Sequence, residues 1–93
     1  MPINKLICLY KYTAYESILS SMNTKILKNL GNELKYLRRE KDLTQEELAE
    51  KIGVHPTYIG KIEGGKSNPS TILLYKISRA LNIKMYRIFE FDK

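Results

Sequence analysis

Ninety-three residues enclose one hydrophobic core and leave nothing for a second, which excludes a two-domain enzyme. With 43% hydrophobic and 28% charged residues, the chain is too apolar for wholesale disorder and too charged for a membrane protein. Sixteen Lys and Arg against ten Asp and Glu give a net charge of +6, which suits a polyanionic partner, either nucleic acid or an anionic surface.

Residues 3–15, INKLICLYKYTAY, come first. Lys5 and Lys11 bracket an apolar run from Leu6 to Tyr10 that is too short for a signal-peptide core or a membrane span. Its β-branched and aromatic content predicts a strand or an irregular arm over residues 1–22. Two other readings stand beside it: that translation naturally opens at Met22, and that the arm packs across a partner subunit or a ligand groove. Cys8 is the only cysteine, so neither an internal disulfide nor a zinc cluster is available. A stapled secreted scaffold is thereby excluded, and a cytoplasmic protein is expected.

From Asn23 onward, the start of the expected domain over 23–93, the period becomes helical. Leu27, Leu30, Leu34 and Leu37 share one face, while Lys28, Lys35, Arg38 and Arg39 lie largely elsewhere. Gly31 interrupts this first helix: either it permits close approach of a neighbouring helix, or it marks where an irregular lead-in ends.

Thr44-Gln45-Glu46-Glu47 fits a capping box and opens a second helix, with Leu43 and Leu48 as the hydrophobic staple and Gly53 as the stop. Only Val54 and His55 precede Pro56, which suits a first helical position because its missing N–H would be unpaired there. In this third helix Ile59 and Ile62 point inward, and Gly64-Gly65 closes it. Lys66-Ser67-Asn68-Pro69 is a loop, Ser70 caps a fourth helix to about Leu81, Asn82 stops it, and a short fifth helix follows near residues 84–89. The expected fold is all-α, a compact bundle of four or five helices joined by short connections.

Two short helices joined across a tight, glycine-containing turn form a helix-turn-helix, and the basic balance favours its DNA-binding version. The run LTQEELAEKIGVHPTYIGKIEGGKSNPS, residues 43–70, resembles the Cro/cI-type (XRE) helix-turn-helix family, with the likeness extending from about Leu30 to Phe89. Thr57-Tyr58-Ile59 and GGKSNPS also resemble controller proteins of restriction-modification systems, phrasing that phage repressors and antitoxins share. The resemblance implies a lambda-repressor-like fold and double-stranded DNA as partner.

It also implies that the third helix enters the major groove, with Pro56, Thr57, Tyr58 and Lys61 nearest the bases. Pro56 offers only apolar contact, and Lys61 suits guanine O6 and N7. Phosphate contacts fall to Gln45 and Thr44 at the amino end of the second helix, to Lys66, Ser67 and Asn68 in the following loop, and to Arg38. Gln45 also reads as an ordinary solvated side chain, and Arg38 as part of an exposed basic face. His55 has three readings: a helix cap, a phosphate contact and a pH sensor. Glu46 is unhelpful beside a phosphate.

The tail carries more apolar surface than one short helix buries, so Met85, Tyr86, Ile88, Phe89 and Phe91 form the expected interface of a homodimer reading a palindromic operator. The alternative is that Tyr86 and Phe91 cover the amino-terminal arm. An antitoxin-like protein that sequesters a partner protein is the second functional class. With no phosphate loop, no metal-ligand cluster and a lone histidine, neither an enzyme nor a cofactor nor a metal is expected.

Overall fold

The computed structural model describes residues 3–91, with side chains from residue 21 to residue 91. Helix α1 spans Ile3–Glu40, α2 Gln45–Ile52, α3 Pro56–Glu63 and α4 Thr71–Ala80, and a 3-10 helix spans Met85–Phe89. No strand occurs among the described residues.

The amino-terminal arm is where this differs from expectation. Its backbone from Ile3 is neither irregular nor a strand but the first half of α1, with no break at residue 23 or at Gly31. Residues 3–30 contain neither glycine nor proline, so nothing interrupts a helix once it has nucleated, and the β preference of isolated residues is overridden. The Cys8 thiol and the side chains of Tyr10, Tyr12 and Tyr15 lie outside the described residues.

Gly31 sits inside α1 for the packing reason. A Cβ there would collide with the carbonyl oxygen of Ile62 and lie 2.6 Å from that of Glu63, so α1 meets the end of α3 backbone to backbone. Around this contact Leu30, Leu34 and Leu37 join Leu48, Ala49, Ile52, Ile59 and Ile62 in the core. Leu73, Leu74, Ile77, Leu81 and Ile88 close it from the other side. Truncating such a leucine or isoleucine to alanine costs about 2–5 kcal/mol, so this one core holds every element in place.

All four α-helices stop in the same way. Asp42, Gly53, Gly65 and Asn82 adopt positive φ angles of 56°, 74°, 73° and 55°. After each, the next amide donates five residues back: Leu43 to Arg38, Val54 to Ala49, Lys66 to Lys61, and Ile83 to Ser78. This is the closure that satisfies the last free carbonyls of a helix, with glycine, or an Asx residue that tolerates the left-handed region, at the turn.

The terminal segment is a 3-10 helix rather than a fifth α-helix. Arg87 ties it to α1 through Glu33 at 2.9 Å, and Ile88 is 0% exposed. Ile88 therefore belongs to the chain's own core and not to a dimer surface, a correction that follows from its complete enclosure. Tyr86 and Phe89 remain exposed at 64% and 46%, and the Phe89 and Phe91 rings lie 6.4 Å apart.

Candidate nucleic-acid interface

Helices α2 and α3 meet through Gly53, Val54 and His55, and their amino ends carry the polar groups of interest. At α2 the capping box forms in full: the Thr44 hydroxyl oxygen accepts from the Glu47 amide at 3.0 Å, and Glu47 Oε1 accepts from the Thr44 amide at 3.0 Å. The Thr44 amide's bond to this carboxylate, followed by a bond from the Thr44 side chain, holds the Glu47 carboxyl below its usual range. The amides of Gln45 and Glu46 stand at the positive end of the helix dipole.

At α3 His55 is the cap. Its Nδ1 accepts from the Thr57 amide at 3.1 Å, so the hydrogen-bond network assigns the ring hydrogen to Nε2, where the exposed ring can donate it outward. Pro56 takes the first helical position. Thr57 and Lys61 are exposed, whereas Tyr58 is half-buried against the core.

A shallow groove between the two helices is lined by Gln45, Glu46, Pro56, Thr57, Gly60, Lys61, Gly64 and Lys66. It gathers five of the residues expected to touch DNA: Gln45, Pro56, Thr57, Lys61 and Lys66. Thr44, His55, Tyr58, Ser67 and Asn68 stand outside its lining. Glu46 lies inside it and is exposed, a carboxylate at the edge of an otherwise basic surface.

Arg38 does not belong to this surface, contrary to expectation. It is 6% exposed and lies between α1 and α3. Its Nε donates to Glu63 Oε2 at 2.6 Å, its Nη2 to Glu63 Oε1 at 3.0 Å, and its Nη1 to the Leu43 carbonyl at 2.6 Å. The hydrogen bonds to Glu63 hold the guanidinium pKa above its ordinary value, and buried with each of its nitrogens already donating inward, Arg38 is not presented to a phosphate.

Glu63 is the residue that sequence reasoning misses. Its Oε1 also accepts from Gln45 Nε2 at 3.0 Å, so one buried carboxylate joins α1, the amino end of α2 and the end of α3. The one signal in the sequence is its place: an acid in the last turn of a helix opposes the dipole unless a cation compensates it. The bond fixes the Gln45 carboxamide, leaving one of its two N–H groups to donate. Its oxygen lies 3.6 Å from where a Cβ on Gly60 would stand, an ordinary contact, so Gly60 gives Gln45 room without being required by a clash.

A helix-turn-helix family model, HTH_3, matches residues 34–88. An uncharacterised HTH-type transcriptional regulator of Archaeoglobus fulgidus is 47% identical over 60 residues, covering 64% of this chain and 84% of that protein. Control protein C.MunI of Mycoplasma sp is 48% identical over 60 residues, covering 63% and 81%. Among solved structures, the restriction-modification controller protein C.AhdI from Aeromonas hydrophila superposes with a TM-score of 0.66 at 36% identity, covering 68% of this chain and 96% of that one.

Proposed function

Because this chain belongs to the HTH_3 (XRE) family of helix-turn-helix transcriptional regulators, we propose that it binds a palindromic operator as a homodimer. The observation that carries this reading is the groove between α2 and α3, where Gln45, Pro56, Thr57, Lys61 and Lys66 converge. Thr57 and Lys61 read base edges, Pro56 makes apolar contact, and Tyr58 supports the helix from its half-buried position. Gln45, Thr44 and His55 donate to phosphates on one side of the groove, and Lys66, Ser67 and Asn68 do so on the other.

Dimerisation runs through Met85, Tyr86, Phe89 and Phe91: the exposed Tyr86 and Phe89 rings need a second copy to cover them, with the partly buried Met85 and Phe91 beside them. Two recognition helices then lie roughly 34 Å apart, one turn of the duplex. The likeness to C.MunI and C.AhdI supports a regulator of the controller type. No helix among the described residues is long and apolar enough to cross a membrane.

Selection of bound sequences from a random DNA pool at two salt concentrations tests the proposal, with a recovered palindrome as the expected result. Binding that is salt-sensitive but indifferent to sequence would overturn it.

A further inference from the structure

The loop that follows α3 is pressed onto α1. Gly65 packs so closely that a Cβ on it would lie 2.8 Å from the Lys28 Cα and 3.1 Å from the Lys28 nitrogen. Asn68 shares a second depression with Asn23, Ile26 and Leu27 of α1, so the loop follows this helix along its surface. Lys28 therefore emerges beside Lys66, and both are exposed, as are Lys61 and Asn68. Neither Lys28 nor Lys66 has an ion-pair partner among the described residues. Glu63, the acid nearest in sequence to this loop, is buried and neutralised by Arg38.

We propose that Lys28 is a phosphate-contacting residue, and that the duplex footprint continues from the loop after α3 onto the side of α1. This rests on the DNA-binding reading above and extends it to an element outside the helix-turn-helix. The ligand is the sugar-phosphate backbone of the same duplex, just beyond the half-site that α3 reads. A lysine suits this place because its ammonium is a point charge on a flexible stem, which needs no fixed hydrogen-bond geometry to meet a phosphate. Three lysines from three elements, Lys61 on α3, Lys66 in the loop and Lys28 on α1, then form one unpaired basic ridge. Lys61 reads bases at one end of this ridge, whereas Lys66 and Lys28 add affinity without adding sequence preference.

Lys25 supplies the control. It lies on the same helix with the same charge, but it lines a depression with Met22, Ile26, Asn29 and Phe91 to which the loop contributes no residue. The experiment measures affinity of the full chain for its selected operator and for a random duplex of equal length, each from roughly 50 to 200 mM salt. Removing one phosphate contact lowers the slope of log affinity against log salt by about 0.9, so the advantage of wild type over Lys28→Ala shrinks by about 3.5-fold across that range. The expected result is this loss on both duplexes for Lys28→Ala, its recovery in Lys28→Arg, and no change in slope for Lys25→Ala. An unchanged slope in Lys28→Ala, or an equal change in Lys25→Ala, overturns the site while leaving the regulator reading intact. If the wild-type chain binds no duplex, both readings fail together.

Discussion

Arg38 on α1 and Glu63 at the end of α3 form a two-pronged ion pair inside the molecule, 2.6 Å and 3.0 Å long. Removing one partner leaves the other charge buried and alone, so Arg38→Met or Glu63→Leu by itself should destabilise the fold by about 3–5 kcal/mol. Replacing both should recover most of that loss, because two apolar side chains of similar volume escape the desolvation cost. Urea denaturation of the singles and the double measures this. The recovered double variant should still bind DNA more weakly than wild type, since Gln45 has lost the acceptor that orients it.

Lys61 is exposed on the groove side of α3, so its loss should not affect folding. Lys61→Ala is expected to relax preference at one base position of each half-site by about 1–3 kcal/mol. Competition among single-base operator variants reads this directly. Equal weakening on every sequence would reassign Lys61 to a phosphate.

The capping box gives a pH dependence. Glu47 is held below its usual range by the Thr44 bonds, so the unfolded chain binds more protons than the native one between the two pKa values. Stability from this group is present above the unfolded value and is lost as pH falls through the lower, native one. Glu47→Gln should flatten that part of the acid limb in thermal melts taken across the carboxylate range. Thr44→Ala should cost about 1 kcal/mol at neutral pH.

Phe89 is exposed and stacks at a tilt beside Phe91. Phe89→Lys should therefore leave the fold intact and shift the sedimenting species from dimer to monomer. Operator affinity should fall with it, because each half-site is then bound separately. A wild-type chain that sediments as a monomer at all concentrations would remove the dimer from the account.

Signals that act within a few residues are legible in the sequence by themselves. The Thr44 and Glu47 box, Pro56 at a helix start, the Ser70 cap and the stops at Gly53, Gly65 and Asn82 are local chemistry, and each lies where the sequence puts it. The stop at Asp42 is harder to read because aspartate marks a left-handed turn far less plainly than glycine does. Arg38 reads as an exposed cation for a different reason: its partner is twenty-five positions away, and no periodicity links the two. Ile88 reads as surface because an apolar tail looks alike whether it covers its own core or a second copy. For the groove, the family likeness supplies the expected contacts, and the tertiary tie from Glu63 to Gln45 is invisible to it.

Four helix ends closed by the same six-residue turn have a kinetic meaning. Each stop is decided by residues already adjacent in the chain, so none waits for a distant segment to arrive before the helix length is set. What remains for docking to make is the contact between distant segments, Gly31 against Ile62 and Arg38 with Glu63. A chain built this way belongs with the helical proteins that reach their native state in microseconds to milliseconds.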